Sequence, residues 1–214
     1  MNNISRMKVG PLKDHDSAEF LMMWVLANTV GLLVGRWIGG QIIGILWPFP
    51  QLPPNTFINA IITNPVLRVI VVGITTGALI GILEWLVFRL FGFHVNWKWV
   101  ASSTLACAAF PTLGQIMFSF EAVSIVTILG GVTLGVAQWL ILRRIVNRAS
   151  WWILPTAVTS AFLFGSITPN PYNEPFILFA GMIVGGVTGV VLLHLLKHPL
   201  YRSEIPFDQA HGGQ

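Results

Sequence analysis

Glu84 is the residue of this sequence whose type and position most strongly indicate chemistry. It lies five residues before Arg89, near the end of a long apolar segment. A carboxylate in apolar surroundings is costly to desolvate, and intramembrane carboxylates often carry protons or bind substrates. The equivalent residue of a second, similar segment is the uncharged Gln138, which favours an interhelical hydrogen bond instead. Both interpretations of Glu84, structural and functional, stay open.

Asn28 and Gln115 are further polar residues inside apolar segments, and each needs a hydrogen-bonding partner there. With Glu84 and Gln138 they form the candidate polar site inside the membrane. We predict no catalytic residue, cofactor or metal site, because the sequence lacks His-Glu-x-x-His, Gly-x-Ser-x-Gly and Cys-x-x-Cys patterns. His194 and its neighbour four residues on have metal-ligand spacing, but no third ligand accompanies them.

The composition shows what kind of element must position these residues. Of the 214 residues, 54% are hydrophobic and only 9% are charged, whereas soluble domains carry about 25% charged residues. Such a chain could not cover a surface that faces water. The formal net charge of +4 does not indicate a nucleic-acid partner, because the basic residues lie at the ends of apolar runs. The single Cys107 excludes a disulfide within the chain.

Six segments are long and apolar enough, or nearly so, to cross a bilayer as helices, which takes about 20 residues. They span about 20–41, 65–91, 97–118, 122–144, 151–168 and 176–196. The first segment could continue to Trp47, either tilted or bent at Gly39-Gly40. Pro111 and Pro155 do not exclude spanning helices, since neighbouring helices can satisfy the carbonyl that a proline frees.

The basic residues predict the orientation of these segments. With six helices, every Lys and Arg except Arg36 and Arg68 falls on one side of the membrane. The positive-inside rule then places both termini in the cytoplasm and the longest loop, about 48–64, outside. An aromatic belt is expected at the cytoplasmic boundary, where seven tryptophans fall, namely Trp24, Trp85, Trp97, Trp99, Trp139, Trp151 and Trp152.

Two tryptophan–arginine pairs predict anchors at this boundary. Trp85 and Arg89 are four residues apart, as are Trp139 and Arg143, so each pair shares one face of a helix. A guanidinium can lie over an indole while it reaches lipid phosphates.

An internal repeat organises the segments. Helix 2 reads Gly77-x3-Gly81-x2-Glu84-Trp85-Leu86-x-Phe88-Arg89, and helix 4 reads Gly131-x3-Gly135-x2-Gln138-Trp139-Leu140-x-Leu142-Arg143. The glycines at 81, 135 and 189 are 54 residues apart, as are Trp97 and Trp151. The unit is a helical hairpin that occurs three times, and its glycine stripes predict close helix packing. A closed threefold arrangement is natural for such hairpins, but the spacing alone does not prove closure.

The predicted fold class is therefore all-α, a polytopic membrane helix bundle of six transmembrane helices in three parallel two-helix repeats. We expect a polar tail at 1–16, a membrane domain at 17–198 and a polar tail at 199–214. The repeats span about 17–92, 93–147 and 148–198.

The stretch 131–144, echoed at 77–89, resembles the hairpin repeats of uncharacterised multi-pass membrane proteins of cyanobacteria and other bacteria. The resemblance implies membrane location, in a bacterial inner or thylakoid-type membrane, and repeat architecture. The leading functional hypothesis is a non-enzymatic scaffold, assembly factor or complex subunit. Its expected partners are the lipid bilayer and other membrane proteins or further copies of itself. The alternative is a small-solute or lipid transporter with a path among helices 2, 4 and 6.

Overall fold

The computed structural model describes residues 14–46, 65–117, 120–167 and 174–198, and within these ranges the chain is helical without strands. The predicted all-α fold class is thus confirmed. The six helices are α1 (Asp14–Leu46), α2 (Pro65–Leu90), α3 (Lys98–Met117), α4 (Phe120–Leu142), α5 (Ile153–Ile167) and α6 (Glu174–Leu196). A short 3₁₀ turn, Ala149–Trp152, leads into α5.

The helix bounds differ from the predicted segments mainly at α1. This helix has 33 residues and continues through Gly39-Gly40 to Leu46, so the longer form of the first segment is observed. It begins at Asp14, inside the stretch predicted as a polar tail. Pro111 lies within α3 without ending it. The loop predicted at 48–64 and most of both predicted tails lie outside the described residues.

Three of the helices are long and apolar enough to cross a membrane. Among the described residues these spans are Asp16–Ile45, Val66–Leu90 and Pro175–Leu196, in α1, α2 and α6. The helix α5 has only 15 residues, below the roughly 20 that a spanning helix needs. The count of six crossings therefore stays a prediction.

The helices form a closed ring. Each packs against its neighbours in the chain, and α6 packs against α1. Neighbouring helices run antiparallel: Gly31, Gly35 and Gly39 of α1 meet successively earlier residues of α2, namely Ile80, Thr76 and Val72. One end of the ring consequently holds the basic ends of the helices, which carry Arg89, Lys98, Arg143 and Lys197.

Glycines allow several of these helix pairs to approach closely. A Cβ atom on Gly185 of α6 would lie 2.8 Å from the Cα atom of Val25 in α1, closer than real Cβ atoms come to a neighbouring backbone. The glycines of α2 meet α3 in the same way, and Gly131 and Gly135 of α4 meet α5. Close backbone approach of this kind is what small residues provide where lipid offers no hydrophobic driving force between helices.

The interior consists of two apolar clusters. The tryptophan core, formed by Trp24, Trp99 and Trp152, lies with phenylalanines and leucines at the basic end of the ring, and all three indoles are buried. An aliphatic cluster that includes Leu32 and Leu134 fills the other half. The predicted aromatic belt is wrong for the three core tryptophans, whose side chains face the centre of the bundle because neighbouring helices enclose them.

The outside of the ring is apolar. Large hydrophobic side chains are exposed on all six helices, and Ile45 is the most exposed at 73%. Exposed apolar surface of this extent is typical of proteins that contact lipid or other subunits. Trp97 and Trp151, the pair with 54-residue spacing, are exposed at 68% and 64%.

Two adjacent glycines of α6 allow a test of the close helix contact. We expect Gly185→Ala to lower the free energy of unfolding by about 1–3 kcal/mol, since its methyl group overpacks the contact with Val25. Gly186→Ala is the matched control, because a Cβ atom there meets nothing within 4 Å. It should change stability by less than about 0.5 kcal/mol. Denaturant titration of the detergent-solubilised protein measures both, and equal losses would contradict the packing of α6 on α1.

Candidate functional site

Three of the four predicted polar residues meet in the middle of the bundle. Asn28 of α1, Glu84 of α2 and Gln138 of α4 are all buried, and they line the same small cavity. Gln115 belongs to α3, but its side chain lies outside what the structure describes. The site thus forms from residues far apart in the chain, at the junction of the tryptophan core and the aliphatic cluster.

Both carboxylate oxygens of Glu84 accept a hydrogen bond. The amide nitrogen Nδ2 of Asn28 donates to Oε1 over 3.0 Å, and the indole nitrogen Nε1 of Trp99 donates to Oε2 over 2.8 Å. Hydrogen bonds to a carboxylate are stronger than those between neutral groups. Glu84 therefore ties α1, α2 and α3 together.

Gln138, which the 54-residue spacing aligns with Glu84, has a different pair of partners, which explains why it is an amide and Glu84 a carboxylate. Its Oε1 accepts from the indole of Trp152 over 2.8 Å, while its Nε2 donates to the hydroxyl of Ser103 over 3.3 Å. An amide supplies one acceptor and one donor group, whereas an ionised carboxylate supplies acceptors only. The residue types at 84 and 138 thus follow from the partners that face them.

The third indole of the tryptophan core is paired in an analogous way. Trp24 of α1 donates to the hydroxyl of Thr188 in α6 over 3.1 Å, and that hydroxyl donates to the carbonyl of Val184. Each core tryptophan, on α1, on α3 or in the turn before α5, therefore donates to a polar side chain of α6, α2 or α4. The residue at 192, which the 54-residue spacing aligns with Glu84, is a leucine; Thr188, one turn earlier, provides the acceptor.

Each core tryptophan is also hydrogen-bonded to the polar residue four positions after it. Four residues after each core tryptophan stands a polar residue, namely Asn28, Ser103 or Thr156. Each of these side chains donates to the carbonyl of its own tryptophan, over 2.8–3.2 Å. The pattern Trp-x3-polar does not by itself identify the core tryptophans, because Trp37-x3-Gln41 and Trp85-x3-Arg89 fit it as well and Trp37 is 64% exposed. Alignment on Trp97 and Trp151 also selects exposed side chains.

The indole rings also contact one another. Trp24 lies 6.3 Å from both Trp99 and Trp152, between ring centroids, and Trp99 lies 5.8 Å from Trp152. Aromatic pairs at such separations in tilted or edge-to-face geometry add to the stabilisation from burial alone. The three rings close the centre of the bundle at its basic end.

The cavity beside these residues is small. Its volume is about 30 Å³, and side chains of all six helices line it, including the hydroxyls of Thr156, Thr159 and Ser160. A space of this size holds about one water molecule, and its polar lining offers the hydrogen bonds that such a water needs. The tryptophan core adjoins the cavity, because its three indoles donate to the lining residues Thr188, Glu84 and Gln138.

The two predicted anchors adopt the expected geometry. The guanidinium carbon of Arg89 lies 4.9 Å from the Trp85 ring centroid, and that of Arg143 lies 5.3 Å from the Trp139 ring. The indole nitrogen of Trp85 donates to the carbonyl of Val95 over 2.9 Å. The stacking itself is thus observed, while anchoring to lipid stays a prediction.

The described residues contain no group of three or more His, Cys, Asp and Glu that could hold a metal ion. His194 and His198 contact each other edge to face, with ring centroids 5.3 Å apart. The sequence matches no protein-family model, and no curated protein or solved structure is significantly similar to it. The geometry of the site must therefore indicate the function.

Adjacent tryptophans in the 3₁₀ turn test the hydrogen bonds of the core. Trp152→Phe keeps an aromatic ring but leaves the buried Oε1 of Gln138 without its indole donor, so we expect a loss of about 1–3 kcal/mol in unfolding free energy. Trp151→Phe is the matched control, and should change stability by less than about 0.5 kcal/mol because Trp151 is exposed.

A double variant separates the contribution of the indole–amide hydrogen bond to stability from the effect of the smaller ring. Gln138→Leu combined with Trp152→Phe removes donor and acceptor together, so the double variant should be more stable than the sum of the single losses predicts. Denaturant titration supplies all four values. Strictly additive losses would show that the indole–amide bond contributes nothing specific.

Proposed function

We propose that this chain is an integral membrane protein with six transmembrane helices, built as three parallel hairpin repeats with both termini in the cytoplasm. The closed antiparallel ring, with its apolar exterior, supports this arrangement. The pairing of each core tryptophan with a neighbouring helix recurs three times around the ring, as repeated hairpins would produce. The shorter α5 can span if the turn Ala149–Trp152 contributes to the crossing.

The proposed role is that of a non-enzymatic scaffold, assembly factor or complex subunit. The observation that carries this proposal is the filled centre of the bundle, where three indoles contact one another and the adjoining space is about 30 Å³. The polar groups there are hydrogen-bonded to one another or to backbone carbonyls, as a structural network requires. The exposed apolar side chains of the ring are the surface available to lipid and to other membrane proteins.

A second candidate function, transport of a small solute, rests on one observation. Glu84 lines the cavity together with Asn28 and several hydroxyl groups, and buried carboxylates inside membranes are often functional. The cavity lies on the axis and borders all six helices, so a transport path would follow the axis and would require the tryptophan core to open.

Labelling of engineered cysteines tests the topology. Cys107 is buried, so the native protein should not react with a membrane-impermeant maleimide and serves as the control. In inverted membrane vesicles, whose cytoplasmic face is outward, we expect Ser203→Cys to be labelled and Asn55→Cys to be protected, with the reverse in intact cells. Labelling of both positions from one side would contradict an odd number of crossings between them and the assigned orientation.

Solute flux in proteoliposomes distinguishes the two functions. We expect proteoliposomes that contain the protein to show the same flux of ions and small polar solutes as protein-free liposomes. Glu84→Gln should then affect stability but not flux, since its new NH₂ group faces a donating indole or amide. The expected loss in the free energy of unfolding is about 1–3 kcal/mol. Saturable flux that Glu84→Gln and Glu84→Ala abolish, in variants that still fold, would establish transport and overturn the scaffold proposal.

A further inference from the structure

A groove of about 840 Å³ lies between α3 and α4, and Leu134 lines both this groove and the central cavity. This α3–α4 groove has small residues such as Ala101 and Ala137 along its lining, with Leu105 and Leu140 beside them. Both leucines are exposed, so the groove is open to its surroundings. Its volume falls within the range of about 300–1,000 Å³ that is typical of small-molecule sites.

The helix pair leaves this space because it lacks a full glycine contact. Gly130 of α4 meets the ring of Phe110 in α3, far from the basic end. The glycines further along α4, Gly131 and Gly135, face α5 instead. The two helices therefore touch through side chains, and the small residues of the groove lining do not fill the gap.

One end of the groove is strongly basic. Lys98, Arg143 and Arg144 line it there together with His94, and all four side chains are exposed. The described residues that line the groove include neither Asp nor Glu. Arg143 is held over the Trp139 ring, which limits the conformations open to its guanidinium. The basic end of the α3–α4 groove thus directly adjoins its apolar part.

We propose that the α3–α4 groove binds one anionic phospholipid, with its phosphate at Arg143 and Arg144 and one acyl chain along Leu105 and Leu140. The inference rests on the proposed insertion in the membrane, which places the basic end at the level of the lipid headgroups. Basic pockets between transmembrane helices recognise anionic headgroups in this way. A guanidinium pair suits a phosphate because its N–H groups donate in a fork.

Charge complementarity favours a lipid over the other possible occupants. The groove changes from basic to apolar along its length, and an anionic phospholipid changes correspondingly from a negative headgroup to apolar acyl chains. An apolar helix of a second copy would leave the cationic end without a counter-charge. A free phosphate would leave the apolar part uncovered.

Native mass spectrometry of the full chain in a neutral detergent tests the proposal, with phosphatidylglycerol and phosphatidylcholine as probes. We expect one phosphatidylglycerol to bind at least about tenfold more tightly than phosphatidylcholine. The double variant Arg143→Gln/Arg144→Gln should remove most of that difference. Ala109→Leu, which narrows the groove at an exposed position and keeps its charges, should weaken binding of both lipids.

Arg89→Gln is the matched control. Arg89 stacks on Trp85 just as Arg143 stacks on Trp139, but it does not line the groove, so its loss should leave binding unchanged. Equal binding of the two lipids, or an equal effect of Arg89→Gln, would overturn the proposal. Full competition by glycerol phosphate would assign the site to a free phosphate, and a dimer that masks the groove would assign it to a second copy.

The outcome of the lipid-binding test can be separated from that of the topology test of the proposed function. Cysteine labelling measures the crossings whether or not lipid binds. A protein with the expected topology and no lipid preference would therefore contradict only the assignment of the groove.

Discussion

Three indole N–H groups meet near the axis of the bundle, where the surrounding side chains are apolar and each donor needs an acceptor. Leaving a buried donor unpaired costs about 1–3 kcal/mol, so the acceptors constrain the structure strongly. Glu84, Gln138 and Thr188 supply them, each from a helix adjacent to that of its tryptophan. This requirement sets the rotation of the helices about their axes, and it joins α6 to α1, the first and last helices of the ring.

Close packing and hydrogen bonding act at different levels of the bundle. At the tryptophan core, large rings fill the centre and polar side chains satisfy them. Along the remaining length, glycines bring backbones together, as where Gly77 would place a Cβ atom 2.6 Å from the carbonyl oxygen of Ser103. Ser103 is also the acceptor for Gln138, so one residue takes part in both kinds of contact. Ser103 therefore belongs to both levels of the bundle.

The same constraints divide the molecule into a filled centre and an open periphery. The centre offers space for about one water molecule, whereas the periphery carries the α3–α4 groove and exposed apolar side chains. The scaffold proposal and the lipid proposal both follow from that division, since each assigns recognition to the outside of the ring. In this interpretation Glu84 is a structural acceptor that holds three helices in register.

The sequence by itself determined the helical class, the approximate bounds of six helices and the polar residues that need buried partners, because apolar run length and isolated polar residues are local features. It did not distinguish Trp99 from Trp97, or Trp152 from Trp151. These helices are apolar all round, so hydrophobic periodicity does not show which face turns inward. Only the tertiary structure decided that, through acceptors far away in the chain; Trp24 and Thr188 are 164 residues apart. It also decided that Glu84 faces two donors and Gln138 a donor and an acceptor, which is the physical reason for their different side chains.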